Sequence, residues 1–296
     1  MMVKRIKVSF VGLGVMGYHM AGHLCKSNKF ELQVYNRTSE KSLAWEKEFG
    51  GNVVYSLEKA ASQADVVIIC SGRDEDMEEI VYSDGGIYKC LNKGAIVIDH
   101  TTTSFKLAKK LSKSFKEINI EFVDAPVSGG EAGAINGVLS VMAGGDRKVL
   151  NSVKHIIEEY SKSINYMGGA GYGQLAKMVN QICIAGVLQG LSEGILFAES
   201  EGVDMESLLS AVSGGAAQSW QMVNRADTMH NRDFDFGFAI KWMVKDLGYC
   251  LERAEDNKTK LPIAKEVYDR YVYLMNKGHE RSDTSALMLY DELSNT

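Results

Sequence analysis

Short apolar stretches alternate with amphipathic segments through the first half of the chain. The stretches that predict strands are residues 4–11, 31–35, 65–70, 95–99, 120–123, 138–143 and 164–167. They are brief and rich in β-branched residues, as buried strands are, and the segments between them have the lengths of helices. Strands that alternate with helices predict an α/β fold in which a parallel, doubly wound sheet carries helices on both faces.

The pattern changes after a glycine cluster at residues 168–173. From Leu175 to about residue 201, apolar residues recur at helical spacing and predict one helix of roughly 30 residues, about 45 Å long. Further helices are predicted at 205–212, 238–255, 263–277 and 285–292, and no strand is predicted among them. The glycine cluster therefore divides the chain into an α/β domain, residues 1–168, and an all-helical domain, residues 169–296, joined by the long helix.

Composition and charge narrow the class of protein. The 296 residues are 45% hydrophobic and carry a net charge of −5, whereas a domain that binds nucleic acid usually presents a basic face. The five cysteines are far apart and form no C-x-x-C pair, which is typical of a reducing compartment. The apolar part of the N-terminus is too short for a signal peptide, and polar residues interrupt the longest apolar stretch. We therefore expect a cytoplasmic protein with no nucleic-acid partner and no membrane span.

A glycine-rich turn follows the first predicted strand and opens a helix. It has the form G-x-G-x-x-G and consists of Gly12, Leu13, Gly14, Val15, Met16 and Gly17. The first glycine permits a tight turn, the second lets the backbone approach a pyrophosphate, and the third lets helix and strand pack closely. The helix N-terminus then offers free N–H groups to the anion. In this context the motif predicts a Rossmann-type dinucleotide site, although a purely structural glycine turn is the alternative.

The end of the second strand bears on the choice of cofactor. A protein that prefers NAD usually has an acidic residue there for the ribose 2′-hydroxyl, but this chain has Asn36, Arg37 and Thr38. A guanidinium and a hydroxyl are suited to a 2′-phosphate. We therefore predict that NADP is preferred and that NAD remains possible. The alternative is that Arg37 is an ordinary exposed arginine.

Two further strand ends carry candidate ligand-binding groups, because ligands of open α/β sheets sit beyond the carboxyl ends of the strands. In residues 99–104, we expect Ser104 to cap the next helix and Thr102 to contact the cofactor. Ser128 is followed by Gly129 and Gly130, which expose a hydroxyl and backbone N–H groups suited to a carboxylate. A flexible turn is the alternative for this second loop.

The long helix begins with an unusual polar triplet. Lys177, Asn180 and Gln181 are spaced i, i+3 and i+4, so they share one face of the helix. An ammonium beside two amides covers a core poorly, which indicates a catalytic or binding face. A solvated surface is the alternative.

Taken together, these motifs resemble those of the β-hydroxyacid dehydrogenase family. The resemblance extends over essentially the whole chain and rests on GLGVMG at 12–17, DHTTTS at 99–104, DAPVSGG at 124–130, GYGQLAKMVNQ at 171–181, KDL at 245–247 and DTSAL at 283–287. It implies an N-terminal Rossmann domain, a C-terminal helical domain and an active site in the cleft between them. It also implies residue roles: catalysis by Lys177, substrate binding by Ser128, Gly129, Gly130, Asn180 and Gln181, and a place near the nicotinamide for Lys245.

The chain departs from the family pattern at two positions. Many members have two asparagines where this chain has Asn180 and Gln181, which look more like the bacterial semialdehyde-reductase branch. Many members also line the cofactor with Met-Leu-Pro, where this chain has Ser71 and Gly72 after Cys70. We assign Ser71 and Gly72 to the cofactor site despite that difference.

The resemblance implies an NADP(H)-dependent oxidoreductase that interconverts a small β-hydroxyacid, or another short hydroxy acid, and its semialdehyde or keto acid. Lys177 would act as general acid and base, and the substrate carboxylate would lie on the Ser128 loop. The alternatives are an NAD-dependent 3-hydroxyisobutyrate dehydrogenase, an imine reductase and a non-catalytic NADP-binding module, and Lys177 argues against the last two. No metal is expected, since the histidines lack ligand spacing, and the long apolar helices predict a homodimer or homotetramer.

Overall fold

The computed structural model describes residues 5–294, and strands are found only in the first part of that range. The strands are β1 (Lys7–Val11), β2 (Glu31–Tyr35), β3 (Asn52–Val53), β4 (Val66–Ile69), β5 (Ile96–Asp99), β6 (Glu121–Asp124), β7 (Val127–Ser128), β8 (Leu139–Gly145) and β9 (Ser161–Gly168).

Helices connect these strands and continue to the end of the described chain. Between the strands they are α1 (Val15–Ser27), α2 (Ser39–Phe49), α3 (Leu57–Ser62), α4 (Asp74–Tyr82), α5 (Phe105–Glu117), α6 (Gly130–Ile135) and α7 (Arg147–Ile157). After the strands they are α8 (Tyr172–Ser200), α9 (Met205–Val212), α10 (Trp220–His230), α11 (Ile240–Asn257), α12 (Pro262–Asn276) and α13 (Leu289–Ser294). Short 3-10 helices occupy Ile87–Lys89 and Thr284–Met288.

One sheet contains all of these strands, in the order β3-β2-β1-β4-β5-β6-β8-β7, with β9 also paired to β8. The pairs from β3 to β6 are parallel, as the alternation of strands and helices predicts. The prediction of a parallel sheet is wrong at β8, which runs antiparallel to β6 and β7. The connection between β7 and β8 contains only the short helix α6, and a parallel crossover needs about a dozen residues or more.

Both faces of this sheet are covered, as a doubly wound fold requires. Strand β4 shows it most clearly, because all four of its residues are buried. Val66 and Ile68 belong to the core that contains residues of α1 and α7, whereas Val67 and Ile69 belong to the core that contains residues of α5. Successive side chains of a strand point to opposite faces, so a fully apolar strand indicates burial on both sides. The predicted fold class is confirmed.

The contacts divide the chain into two units, one ending at Lys177 and the other beginning at Met178. The boundary predicted between residues 168 and 169 lies earlier, in the turn before α8. In the second unit, the described residues are helical apart from turns and one isolated bridge between Ala239 and Asp283. Its core joins residues of α8, α10, α11 and α12 with the 3-10 turn Thr284–Met288.

The predicted helices of the second half agree with the structure in large part. Helix α9 matches the prediction, α11 and α12 lie close to theirs, and the last predicted helix is a 3-10 turn followed by α13. Helix α10 is not predicted, and neither are the short strands β3 and β7, while the short helices α3 and α6 lie in segments for which no helix bounds are predicted. Short elements bury few residues, so their hydrophobic periodicity is weak.

Helix α8 has 29 residues, close to the predicted length. By length and composition alone it could cross a membrane, since its most apolar 18-residue window has a mean hydropathy of 1.4. The polar residues within it therefore interrupt the apolar stretch less than expected. A core helix meets the same test, and Ala185, Leu188 and Ile195 of α8 are fully or almost fully buried in the second unit. The absence of a membrane span stays a prediction.

We predict that Leu188→Ala destabilises the protein by about 2–5 kcal/mol, because Leu188 is completely buried in the second core and its loss leaves a cavity. Leu43→Ala makes the same change at a leucine that is 49% exposed, so it should cost far less. Urea unfolding of both variants measures the difference. Equal losses of unfolding free energy would contradict the assignment of Leu188 to the core.

Candidate functional site

The loop after β1 and the first turn of α1 each require glycine at one position for lack of space. Gly12 has φ +100°, and a Cβ there would lie 2.2 Å from the carbonyl oxygen of Cys70. A Cβ on Gly17 would lie 2.0 Å from the carbonyl oxygen of Gly12. Gly14 differs, since no atom lies within 4 Å of an added Cβ and its φ is −74°. The fold does not require glycine at position 14, so the open space there fits the close approach of a pyrophosphate.

The N-terminus of α1 is also suited to an anion. Gly14 is its N-cap, no side chain of the described residues caps it, and its first turn holds no acidic residue. The first N–H groups of a helix have no partner within the helix, and they carry positive potential. The side chains of Leu13 and Met16 are turned toward the core, and among these three residues only the side chain of Val15 is largely exposed.

Asn36 braces the glycine loop from the end of β2. Its Oδ1 accepts a hydrogen bond of 2.8 Å from the Leu13 N–H, and its Nδ2 donates to the Thr38 carbonyl at 3.0 Å. The amide therefore holds the loop in place, which is a different task from the predicted contact with the cofactor. Thr38 is the N-cap of α2 but makes no side-chain capping bond.

Arg37 is exposed and lies beside two carboxylates of α4. Its Nη1 is 3.1 Å from Glu79 Oε2 and 3.6 Å from Asp76 Oδ1. The Arg37 side chain is 73% exposed, so these ion pairs are each worth about 0–1 kcal/mol. The guanidinium is thus held near the end of β2, with part of its charge balanced by acidic groups.

The loops after β4 and β5 are joined by hydrogen bonds. The Ser71 N–H donates to Thr101 Oγ1 at 2.9 Å, and Gly72 follows with its surface partly exposed. Thr101 and Thr103 are buried, whereas Thr102 between them is only half-buried, which fits its predicted role. Ser104 accepts from the Leu107 N–H at 3.0 Å as the N-cap of α5, so the predicted cap is confirmed.

The loop after β7 contains backbone that only glycine adopts readily. Gly129 and Gly130 have φ values of +132° and +61°. Ser128 is held in register by β8, where it pairs with Ser140. No atom lies within 4 Å of a Cβ added to Gly130, so space is open beside the loop. This geometry fits the carboxylate site predicted for Ser128, Gly129 and Gly130.

The start of α8 is held by Asp124, a residue for which the sequence alone predicts no role. Its Oδ1 accepts from the Gly171 N–H at 2.7 Å, and its Oδ2 accepts from the Gln174 N–H at 3.0 Å. Asp124 is fully buried, and this burial raises the pKa of its carboxyl to about 6 although the N–H groups oppose the shift. Burial likewise raises the pKa of Asp99 to about 7.

Lys177 lies one turn beyond Gln174 on α8, and only 8% of its surface is exposed. Placing an ammonium in so enclosed a position is costly unless partners or a function compensate for the lost hydration. The simple alternative of a solvated helix surface therefore does not describe Lys177.

The two amides after Lys177 have different environments. Gln181 is 2% exposed; its Nε2 donates to Asp246 Oδ2 at 2.6 Å, and its Oε1 accepts from Asn180 Nδ2 at 2.7 Å. Asn180 is only half-buried. Lys245 forms an ion pair with Asp246 at 3.2 Å and lies against the rings of Trp242 and Tyr249. A polar chain thus runs from Asn180 through Gln181 and Asp246 to Lys245 within the second unit.

No group of three or more His, Cys, Asp or Glu residues suited to a metal ion occurs between residues 5 and 294. His100 is buried, with Nδ1 2.6 Å from the Ala125 carbonyl oxygen and Nε2 2.8 Å from the Tyr160 hydroxyl. Burial lowers the pKa of this imidazole to about 4, so it is neutral at physiological pH. These hydrogen bonds indicate that His100 has a structural role near the carboxyl ends of the strands.

Comparison with known proteins matches both units of the chain. Residues 7–168 match the family described as the NAD binding domain of 6-phosphogluconate dehydrogenase, and residues 171–290 match the one described as NAD-binding of NADP-dependent 3-hydroxyisobutyrate dehydrogenase. An uncharacterized oxidoreductase of Shewanella frigidimarina is 48% identical, over 95% of this chain and 97% of its own. The 2-hydroxy-3-oxopropionate reductase of Escherichia coli is 31% identical, over 97% of this chain and 98% of its own.

A solved structure extends the likeness to three dimensions. The 3-hydroxyisobutyrate dehydrogenase of Mycobacterium tuberculosis, determined with L-serine, superposes with a TM-score of 0.86 at 26% identity. The superposition covers 96% of this chain and 98% of that one. The two architectures therefore agree over nearly their whole length.

We predict that Gly14→Ala weakens binding of the nicotinamide cofactor at least about tenfold and leaves the unfolding midpoint nearly unchanged. Alanine adopts the backbone conformation of Gly14 without strain, but its methyl group enters the open space beside the loop. Titration of NADPH fluorescence measures the affinity.

Gly190→Ala is the matched control for this variant, since its added methyl group also meets no atom within 4 Å but lies in the middle of α8. It should keep full affinity. Unchanged cofactor binding by Gly14→Ala would remove the assignment of the loop as the pyrophosphate site.

Proposed function

Because this chain belongs to the β-hydroxyacid dehydrogenase family and is an NAD(P)-dependent oxidoreductase acting on CH–OH groups, we propose that it interconverts a small hydroxy acid, such as a β-hydroxyacid, and its semialdehyde or keto acid, with NADP(H) preferred. The observation that carries this proposal is the enclosure of Lys177 on α8, one turn after a helix start fixed to the strand ends. An ammonium held in such a place suits proton transfer to a carbonyl oxygen.

Lys177 performs the proton transfer in this proposal. The cofactor, when bound, supplies or accepts the hydride. As a carbonyl oxygen gains negative charge during reduction, the Lys177 ammonium stabilises that charge and donates its proton. In the oxidative direction the neutral amine takes the proton of the hydroxyl group.

The remaining polar groups hold the substrate. The hydroxyl of Ser128 and the N–H groups of Gly129 and Gly130 bind its carboxylate. The half-buried amide of Asn180 orients the reacting oxygen, and Gln181 orients Asn180, since both ends of the Gln181 amide already have partners. Lys245 fixes Asp246 from the other side and stays a candidate neighbour of the nicotinamide.

The preference for NADP rests on Arg37 and on the lack of a carboxylate in residues 36–38. A guanidinium can pair with the two oxygens of a 2′-phosphate. One observation favours the alternative, an NAD-dependent 3-hydroxyisobutyrate dehydrogenase: Glu79 and Asp76 already engage Arg37 and would repel a phosphate. The NADP preference is accordingly expected to be modest.

We further propose a homodimer or homotetramer that resides in the cytoplasm. Helix α8 exposes large apolar side chains along its length, among them Val179 and Phe197, which are 60% and 69% exposed. An apolar helix face of this extent is typical of a surface that a second copy covers.

Lys177→Ala is expected to lower kcat at least about 100-fold, because the reaction loses its proton donor. Binding of NADPH should persist. Turnover with a panel of semialdehydes and small keto acids, followed by NADPH absorbance, measures the loss. Lys113→Ala on the exposed surface of α5 is the control and should keep full activity. Retention of more than a few per cent of activity by Lys177→Ala would refute the role of this lysine.

Two variants at one ion pair test the cofactor preference. Arg37→Ala should raise the KM for NADPH about tenfold or more and leave the KM for NADH nearly unchanged, because only NADPH carries the 2′-phosphate. Glu79→Gln removes a competing negative charge, so it should lower the KM for NADPH. If wild-type enzyme prefers NADH and Arg37→Ala alters both constants equally, the NAD-dependent alternative holds.

A further inference from the structure

The start of α8 touches the ends of the strands so closely that side chains do not fit between them. A Cβ on Gly173 would lie 2.5 Å from the carbonyl oxygens of both Asp124 and Met142. A Cβ on Gly144 would lie 2.6 Å from Asp124 Oδ1 and 2.7 Å from the Gly173 nitrogen. The helix therefore begins in direct backbone contact with β6 and β8.

Asp124 closes this contact with its carboxylate. One oxygen binds the N–H of Gly171 and the other binds the N–H of Gln174, and the group is fully buried. A carboxylate is favoured at a helix N-terminus by the unpaired N–H groups and the positive potential there. A buried site strengthens each of these hydrogen bonds relative to water.

Gln174 makes a second attachment from the same helical turn. Its Nε2 donates to the Thr101 carbonyl at 2.8 Å, and its Oε1 accepts from the Thr103 N–H at 3.1 Å. The first turn of α8 is thus fixed to the end of β6 by Asp124 and to the loop after β5 by Gln174. Two attachments in different directions fix the turn against both sliding and rotation.

Strand β8 also connects Asp124, at the end of β6, with the Ser128 loop, which follows β7. Asp124 pairs with Gly144 and Ser128 pairs with Ser140, so β8 holds both residues in one unbroken register. Asp124 is therefore rigidly connected at its backbone to the loop proposed for the substrate carboxylate and at its side chain to the helix of Lys177.

We propose that Asp124 is a positioning residue, whose carboxylate sets the place of Lys177 relative to the Ser128 loop. The inference rests on the proposed function, since it matters for turnover only if Lys177 transfers the proton. Misplacement of a reacting group by about 1 Å costs on the order of 100-fold in rate. Loss of the Asp124 attachment would change the distance between Lys177 and the Ser128 loop without removing any group that contacts the substrate.

Ordinary helix capping is the simpler role that must be separated from positioning. Asp146 provides the matched case: its Oδ1 accepts from the N–H groups of Lys148 and Val149 and caps α7. It lies next to its own helix in the chain and at the protein surface. Asp124, in contrast, is brought to α8 from a distant strand, so the two aspartates perform the same capping chemistry with different consequences for Lys177.

Asp124→Asn tests the proposal at about pH 8, where the wild-type carboxyl is ionised. The variant keeps the shape of the side chain but turns an NH₂ group toward one of the two N–H donors. We expect kcat to fall about 10- to 100-fold while the KM for NADPH changes less than about threefold. Asp146→Asn should keep the wild-type kcat even if its melting temperature falls by as much as that of Asp124→Asn.

Amide hydrogen exchange gives a readout that does not depend on turnover. Exchange at Gly171 and Gln174 should accelerate at least about tenfold in Asp124→Asn and stay unchanged in Asp146→Asn. If Asp124→Asn fails to fold, Gln174→Met serves instead, because it removes only the attachment to the loop after β5. It should lower kcat several-fold with the KM for NADPH preserved.

The outcomes separate this inference from the proposed function. One outcome would contradict the positioning role of Asp124 and leave the proposed function intact. In that outcome Lys177→Ala is inactive, whereas Asp124→Asn shows faster amide exchange but keeps the wild-type kcat. Equal losses of kcat in Asp124→Asn and Asp146→Asn would also contradict the positioning role, because Asp124 would then act only as a helix cap. An active Lys177→Ala would instead remove the proposed function, while the exchange data would still report the attachment.

Discussion

At the carboxyl ends of the strands, several backbone segments approach one another so closely that no Cβ fits between them. Gly12 meets the Cys70 carbonyl, Gly17 meets the Gly12 carbonyl, and Gly173 meets the carbonyls of Asp124 and Met142. These approaches place the starts of α1 and α8 directly against the sheet. The unpaired N–H groups of both helices consequently lie where the strand ends and their loops can reach them. A larger residue at any of these positions would displace the start of α1 or of α8, and the candidate functional site depends on both helix starts.

The two helix starts use the same physical property in opposite ways. At α1, no side chain of the described residues caps the helix, so its N–H groups are available to a phosphate. At α8, the Asp124 carboxylate of the protein itself accepts from the corresponding groups. One helix start thus fits a ligand, whereas the other fixes the helix that carries Lys177. The positive potential of a helix N-terminus would favour the negative charge of a bound pyrophosphate at α1 just as it favours that of Asp124 at α8.

The sequence indicates local features well and long-range pairings poorly. The glycine loop, the Ser104 cap and the apolar strand β4 are recognisable because spacing along the chain determines them. Strand β8 is predicted at residues 138–143, but its antiparallel direction is not, because strand direction depends on how the chain returns after α6. Asp124 was missed for a similar reason: its partners Gly171 and Gln174 are distant in sequence, and an aspartate after an apolar strand has many possible roles.

The division of labour between Asn180 and Gln181 follows from helix geometry and the cost of burial. Successive residues of a helix are turned by about 100°, so neighbours on the chain face different surroundings. Gln181 is turned inward, where its amide bonds Asp246 and accepts from Asn180. To contact a substrate, Gln181 would have to leave Asp246, and losing a partner is costly for a carboxylate that is 2% exposed. Asn180 is only half-buried, and its amide is oriented by Gln181, which makes Asn180 the better suited of the two to the proposed contact with a substrate.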